Sequence, residues 1–309
     1  MLPDDTGAEG QTVIVEWFNI WHQWIFENIV QPMLYRMEWM SFDELAYDWT
    51  HLFLLGALEV VLLWALIRPL ELWLPVERWE SRKATRVDVL YTLLARLGVL
   101  PIFFFIVLTP AFDWVNAQIR MAGIIPPSFD NLLLYVVLLD FVDYWRHRFE
   151  HRFNIWWALH AVHHSQRQMT FWSDEREHLL GQLIAAALRA AVGLAVGAPP
   201  ATFVTVTLAT AAIESFSHAN VKLSFGRIGD RLLVSPLYHR VHHAIGIGHT
   251  GRTMGCNFAS VFPVWDVVFG TANFTHAYLP TGIDDQLTGR DYGEGFWRQQ
   301  WLAFRRMAG

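Results

Sequence analysis

Residues 131–165 read NLLLYVVLLDFVDYWRHRFEHRFNIWWALHAVHHS, an apolar run that leads directly into two histidine clusters. The first cluster has the spacing HxxxH and the second HxxHH, and another HxxHH follows about 75 residues later. Positions i, i+3 and i+4 share one face of a helix, so each cluster is expected to present its imidazoles to a single point. The eight clustered histidines are His147, His151, His160, His163, His164, His239, His242 and His243.

The number of clustered histidines predicts two metal ions. Imidazole is neutral near pH 7 and binds zinc, iron, copper and nickel well. One tetrahedral zinc site needs only three or four protein ligands, fewer than this chain offers. Further candidates are His178 and the ExxxH pair Glu214 and His218, where a carboxylate could bridge two metals as in di-iron bundles. An ion pair with an arginine is the alternative for Glu214.

Two carboxylates precede the first cluster within the apolar run. Charged groups at such depth are costly and usually functional. Metal-bound histidines generally donate their other N–H to a carboxylate or carbonyl, and we assign that role to Asp140 and Asp143. A direct bond to the metal is the alternative for either residue. Glu59 is expected to pair with Arg96, or else with Arg189.

The composition is that of a membrane protein, with 53% hydrophobic residues, 17% charged residues and a mean hydropathy of +0.25. A membrane span needs about 20 apolar residues. Residues 51–70, 88–110 and 131–145 supply three, and the third is expected to continue as a helix through His151. Residues 179–197 and 200–217, joined by Gly-Ala-Pro-Pro, predict a re-entering hairpin. The predicted fold class is all-α, a polytopic membrane helical bundle of about four spans with a cytosolic, histidine-rich helical cap.

Lysine and arginine counts predict the sidedness of the bundle. The segments after the first and third spans are basic, and the segment after the second holds only Arg120. This places the histidine clusters on the cytoplasmic face, in a bacterial inner membrane or the endoplasmic reticulum of a eukaryote. His22 and His51 fall on the opposite side and, with His276, are not expected to be ligands. His249, in a glycine-rich loop, is expected to be solvent-exposed.

Four regions are predicted along the chain. They are an N-terminal interfacial segment (1–50), two membrane spans (51–130), a catalytic region (131–273) and an amphipathic tail (274–309). The net charge of −6 argues against a nucleic-acid partner. A single cysteine, Cys256, excludes an internal disulfide framework and a cysteine-based metal site.

Several functions are compatible with such a site. Zinc has no redox role, so iron is the metal that suits O₂ chemistry on a lipid C–H bond. The sequence has no haem, flavin or iron–sulfur motif, and electrons are therefore expected from a separate carrier such as a ferredoxin or a cytochrome b5-like protein. One alternative is a membrane metal transporter or metal-binding protein, which would place ligands near the midplane. Another is a membrane-anchored zinc hydrolase, which would need only three protein ligands.

The ordered motifs resemble those of the fatty acid hydroxylase superfamily, also called the sterol desaturase family. Residues 140–151 match DxxxYWxHRxxH, residues 157–165 match WxxHxVHHS, and residues 236–243 match PxxHRVHH. Further matches are RxH at 176–178, FxHAN at 216–220 and the closing segment 257–271. The resemblance implies a four-span membrane oxidoreductase with a cytosolic di-iron centre that activates O₂ and hydroxylates or desaturates lipids.

The resemblance also implies a role for Asn220 in the site, beside Asp140 and Asp143. The chain departs from the family pattern in two places. Leu179 stands where a proline usually follows RxH, and the segment between His243 and Asn257 is longer and rich in glycine. The lipid substrate is left open among sterol, fatty acyl or sphingoid chain, ether lipid and carotenoid.

Overall fold

The structure is a computed structural model that describes residues 6–79, 82–123 and 131–308. Within these residues the chain is helical, and the one β pairing is an isolated bridge between Ala244 and Thr281. The α-helices are α1 (Thr6–Ile25), α2 (Gln31–Arg36), α3 (Asp43–Trp73), α4 (Arg82–Arg96), α5 (Val99–Met121), α6 (Leu132–Arg152), α7 (Asn154–His164), α8 (Leu179–Val196), α9 (Pro200–Ser217), α10 (Gly226–Gly229), α11 (Pro236–His242), α12 (Val264–Val268) and α13 (Phe296–Met307). The all-α fold class is confirmed.

Three of the described helices are long and apolar enough to cross a membrane, namely Met40–Trp73, Val99–Met121 and Leu179–Val196. They contain α3, α5 and α8. The predicted third span, 131–145, lies almost entirely in α6. The second half of α6 carries Asp140, Asp143 and Arg146, so this helix is less apolar than the other three. The count of about four spans therefore stays a prediction, as do the region boundaries at residues 50, 130 and 273.

The predicted second span, 88–110, is wrong in its bounds because the chain turns inside it. α4 ends at Arg96 and α5 begins at Val99. Between them, Gly98 adopts φ +80°, a left-handed conformation that glycine tolerates best. A Cβ at Gly98 would also lie 2.7 Å from Nε1 of Trp49. The membrane-length helix is thus α5, and α4 is a more polar helix whose end contacts α3.

The predicted hairpin is present, with α8 and α9 joined by a tight turn. Gly197 ends α8 with φ +65°, and Pro200 opens α9 at a position where the missing N–H has no helical partner. Both helices pack against α6.

The helices that carry the histidines contribute to two small cores near the end of α6. The side chain of Asn131 caps α6 by accepting a hydrogen bond from Leu134 N, and the helix ends at Arg152, as expected from the run through His151. Phe153 is extended, so α7 starts in a new direction. One core joins α7 to α13 through Val162, Tyr292 and Ala303, and the other surrounds Tyr144 and Phe258. These packed cores fix where the imidazoles meet.

Candidate metal centre

Nine of the predicted histidine ligands fall into two buried groups. In each group, one ligand nitrogen from every member lies within 4.8 Å of the others. The five-histidine group consists of His147, His151, His160, His164 and His242. The four-histidine group consists of His163, His218, His239 and His243.

Each HxxHH cluster is divided between the two groups, which corrects the expectation that a cluster points at one place. His160 and His164 of α7 enter the five-histidine group while His163 enters the other. The second cluster does the reverse, because His242 joins the five-histidine group and its two partners do not. Positions i+3 and i+4 lie about 100° apart around a helix, so one helix can serve two sites.

The Nε2 atoms converge within each group. Nε2 of His164 lies 3.1 Å from Nε2 of His151, His160 and His242. In the second group, Nε2 of His218 lies 3.1 Å from that of His163 and 3.0 Å from that of His239. His239 and His243 are 3.1 Å apart at the same atoms.

The outer nitrogens show that these contacts cannot all be hydrogen bonds. Nδ1 of His147, His151 and His242 donates to the carbonyl oxygens of Phe258, Met254 and Cys256, at 2.8, 3.2 and 2.7 Å. A neutral imidazole with its proton on Nδ1 has a lone pair on Nε2. The Nε2 of His164 could donate to one such lone pair but not to several. Converging lone pairs of this kind fit a bound cation, and the all-imidazole donor set fits iron or zinc.

Two carboxylates that the sequence reasoning missed lie beside the outer nitrogen of His160, another member of the five-histidine group. Nδ1 of His160 lies 3.3 Å from Oε1 of Glu177 and 3.4 Å from Oε2 of Glu150. Arg146 binds both oxygens of Glu150, at 2.7 and 2.8 Å. The i, i+3 spacing of His147 and Glu150 was a signal that could have identified Glu150.

The four-histidine group has fewer outer partners. Nδ1 of His218 donates to the backbone oxygen of Glu214 at 2.7 Å and lies 3.4 Å from Oδ1 of Asp174. The Nδ1 atoms of His163, His239 and His243 are buried and have no hydrogen-bond partner.

Burial favours the neutral form of five of the grouped imidazoles. Desolvation lowers the pKa of His163, His164, His242 and His243 well below the ordinary value of 6.5, and that of His218 to about 4. Neighbouring imidazoles lower these pKa values further. The neutral form is the one that coordinates a metal ion.

A cavity of about 1070 Å³ adjoins both groups. Its histidine end includes His147 and His160 from one group and His163, His218 and His239 from the other. From there it runs between α3, α5, α8 and α9, past side chains that are mostly Leu, Phe and Ala. The arrangement can bring an apolar chain to both histidine groups.

Comparisons with known proteins agree with this arrangement. Residues 132–271 match the fatty acid hydroxylase family. These residues form a fatty acid hydroxylase domain. The chain is 26% identical to the ornithine lipid hydroxylase OlsE of Rhizobium tropici, over 84% of this chain and 76% of that protein. It is 30% identical to the alkylglycerol monooxygenases of Danio rerio and Homo sapiens, over 43% of this chain.

The chain spans only about 28% of the length of those two monooxygenases. No solved structure matches the chain.

The aspartates predicted to hold the ligands have other partners in the hydroxylase domain. Asp140 accepts hydrogen bonds from the backbone N–H groups of Val261 and Phe262, at 2.8 and 3.0 Å, and from Nε1 of Trp265. Asp143 pairs with Arg146 and Arg189, at 3.0 and 2.9 Å. The carboxylates beside the outer histidine nitrogens are instead Glu150, Glu177 and Asp174.

Asn220 ties the chain that follows α3 to the end of α9. Its Oδ1 accepts from the N–H groups of Val76 and Glu77, both at 3.1 Å, and its Nδ2 donates to the oxygen of Glu77 at 2.7 Å. These bonds use both lone pairs of Oδ1 and one of the two Nδ2 hydrogens, so the structure gives Asn220 a positioning role beside His218 and Ala219.

Two other predicted ligands lie outside both groups. His178 caps α8, with Nδ1 accepting from Leu180 N at 3.1 Å and Nε2 donating to Gln300 O at 3.2 Å. The carboxylate of Glu214 accepts a hydrogen bond from Ser260, although its backbone oxygen contacts His218. Metal-binding roles for these two residues stay predictions.

His249 is the histidine whose position the sequence reasoning missed. The glycine-rich loop folds over the five-histidine group and places the His249 ring 4.6 Å from that of His164, centroid to centroid. Its Nε2 donates to Gly282 O at 3.0 Å, and its Nδ1 is buried without a partner. A Cβ at Gly248 would lie 1.9 Å from His242 O, so the close approach of this loop requires glycine there. The expected solvent exposure of His249 is wrong.

The three remaining histidines lie away from the centre. His22 is buried, and its Nε2 donates to Tyr47 O at 3.0 Å. His51 packs edge-on against His22, and His276 is exposed. Substitutions at these positions therefore serve as controls for substitutions of the grouped histidines.

Proposed function

We propose that this chain is a membrane-bound di-iron oxidoreductase that uses O₂ to hydroxylate or desaturate a lipid. The observation that supports this most strongly is the pair of converging Nε2 groups at the end of an apolar cavity. A transporter would place its ligands along a path through the membrane, and a zinc hydrolase would leave most of these histidines without a role.

In this proposal, the nine grouped histidines hold two iron ions, one in each group. Iron bound there would supply the redox chemistry with O₂ that zinc lacks. Phe258, Met254 and Cys256 hold the histidine protons on Nδ1 through their carbonyl oxygens, and so keep the Nε2 lone pairs directed inward. Burial of the groups excludes bulk water from the reacting C–H bond.

Hydroxylation consumes one O₂, two electrons and two protons, and yields an alcohol and water. Since the described cavity is mostly apolar, the proposed substrate is a lipid chain lying between α3, α5, α8 and α9. The relatives named as an ornithine lipid hydroxylase and as alkylglycerol monooxygenases favour a membrane lipid as substrate. Electrons would come from a ferredoxin or a cytochrome b5-like protein that binds on the side of the membrane where the histidine groups lie.

Metal content and product formation test the proposal together. Protein loaded anaerobically with Fe(II) is expected to hold close to two ions per chain. Incubation with membrane lipids, ¹⁸O₂ and a reduced carrier should give a lipid product that carries ¹⁸O or has lost two hydrogens. One ion or fewer in folded protein, or no oxidised lipid from fully loaded protein, would contradict it.

The same proposal places the histidine groups and the C-terminal region on the cytoplasmic side of the membrane, and this sidedness can be tested separately. Thr288 in the C-terminal region and Ser41 before α3 are both exposed, whereas the native Cys256 is buried. In intact cells, an impermeant thiol reagent should label Ser41→Cys but label Thr288→Cys only after lysis. The reverse pattern would place the cap outside.

A further inference from the structure

The histidine end of the cavity contains two oxygen atoms that lack hydrogen-bond donors. Oε2 of Glu59 and Oε1 of Gln182 are both buried and unpartnered, and both residues line the cavity. Buried acceptors without donors are rare in proteins and usually await a ligand or water. An alkyl chain cannot satisfy either atom.

The rest of each side chain is already held, so the orientation of each of these oxygens is fixed. Oε1 of Glu59 binds Arg96 at 2.7 Å, and the Glu59 side chain is only 11% exposed. Nε2 of Gln182 donates to Glu175 O at 3.1 Å, which fixes the amide orientation.

An ion-pair chain connects this region to the metal centre. Arg96 binds Oδ2 of Asp174 at 3.0 Å as well as Glu59. The other oxygen of Asp174 lies 3.4 Å from Nδ1 of His218 in the four-histidine group. Glu59 is therefore linked, through Arg96 and Asp174, to the four-histidine group at the histidine end of the same cavity.

The opposite end of the cavity offers no comparable feature among the described residues. From Leu100 to Asn116, α5 lines a length of about 24 Å at 1.5 Å per residue. The polar residues at that end include Asn116 and the exposed Asp113, and neither has a buried, unpartnered polar atom. The intervening wall is mostly apolar.

We propose that a lipid headgroup bearing hydroxyl or amine donors binds at Glu59 and Gln182, with its chain extending along α5. The oxidised C–H bond then lies in the headgroup or on a carbon next to it, and not at the far end of the chain. This orientation rests on the proposed function, since it identifies the part of the substrate that faces the metal centre.

Binding of matched amphiphiles tests the proposal without turnover. Purified full-length protein should bind hexadecan-1-ol about fivefold more tightly than hexadecyl methyl ether, which lacks the donor, as one net hydrogen bond provides. Hexadecylamine in place of the alcohol distinguishes an amine headgroup from a hydroxyl one. Gln182→Leu should weaken the preference, because one of the two acceptors is lost, whereas Asn116→Leu, at the other end of the same cavity, should retain it.

Two results would overturn the proposal. One is equal binding of the alcohol, the amine and the ether by the wild-type protein, a comparison that needs no variant to fold. The other is a preference that Asn116→Leu abolishes and Gln182→Leu retains, which would place the headgroup at the far end. Mass-spectrometric mapping of ¹⁸O adds an independent result, with label expected in or beside the headgroup and mid-chain label contradicting it.

Failure of this proposal can be distinguished from failure of the proposed function. Mid-chain oxidation would retain the oxidoreductase and remove the headgroup site. Donor-selective binding that depends on Gln182, with no oxidised product, would retain the headgroup site and contradict the proposed oxidoreductase.

Discussion

The two histidine groups are similar in composition and burial but differ in how their outer nitrogens are held. In the five-histidine group, every Nδ1 except that of His164 lies beside a carbonyl or carboxylate oxygen. In the four-histidine group, only His218 has such a partner. Outer hydrogen bonds fix the tautomer and raise the basicity of a ligating imidazole. The five-histidine group is therefore expected to bind its ion more tightly.

The two groups also differ in how many of their histidines line the cavity. The four-histidine group contributes three of its members to the cavity wall, and the five-histidine group contributes only His147 and His160. The group with fewer outer hydrogen-bond partners is thus the one that faces the cavity more fully.

Removal of one ligand from each group should have the largest effect. His164→Ala and His243→Ala are each expected to reduce the metal content from two ions to one. Turnover should fall by roughly a thousandfold or more, because an interaction with the reacting centre is lost. Metal analysis and lipid product assays measure both effects. His276→Ala is the matched control, and loss of both ions from either variant would show that the groups are not independent sites.

Acid should release the two ions in separate steps. Ligating histidines must be deprotonated, so protons compete with the metal as the pH falls. We expect zinc-loaded protein to lose the ion of the four-histidine group at a higher pH than that of the five-histidine group. A chelator dye can follow release from wild type, with His164→Ala and His243→Ala identifying each step. Release of both ions in one step would remove the proposed difference in affinity.

The metal-free protein should also lose stability in acid. Burial lowers the folded-state pKa of His163, His164, His242 and His243, so below pH 6.5 the unfolded chain binds more protons than the folded one. Each such histidine costs about 1.4 kcal/mol of unfolding free energy per pH unit below 6.5. Thermal unfolding between pH 7.5 and 5.5 checks the sign, and bound zinc should reduce the slope.

A smaller effect should follow from His249→Phe. When Nε2 of His164 binds a metal, its proton must lie on Nδ1, which has no acceptor in its present position. Nδ1 of His249 carries a lone pair, and its ring is as close to His164 as that of His242, at 4.6 Å between centroids. Loss of this partner should weaken metal binding about tenfold in the five-histidine group only.

Competition with a chelator of known affinity measures the change in His249→Phe. The same substitution at His51, far from both groups, should have no effect on either site. Weakened metal binding at the four-histidine group instead would contradict the prediction that Nδ1 of His249 accepts the Nδ1 proton of His164.

The smallest effect is expected for Glu214→Gln. The contact to His218 is made by the backbone oxygen of Glu214, which this change retains. Both ions should stay bound, and turnover should remain within about threefold of wild type, since a hydrogen bond to Ser260 is still possible. Loss of one ion would show that the carboxylate is a ligand, as the ExxxH spacing predicts.

Features set by local periodicity were predictable from the sequence. The hairpin turn, the continuation of α6 through His151 and the histidine clusters all depend on residues close in the chain. The pairing of Glu59 with Arg96, one of two alternatives, is confirmed at 2.7 Å. The break between α4 and α5 was not predicted, because it depends on the left-handed conformation of a single glycine, Gly98, within a continuous apolar run.

Only the tertiary structure decided how the histidines are divided and what holds them. Helical spacing shows that His163 and His164 lie near one another, but the packing of α7 against α6 and of α11 against α9 determines which group each one joins. The outer partners of His147 and His151 come from residues more than 100 positions away, at Phe258 and Met254. Backbone carbonyls are present at every residue, so the sequence carries no local signal of which ones will accept these bonds.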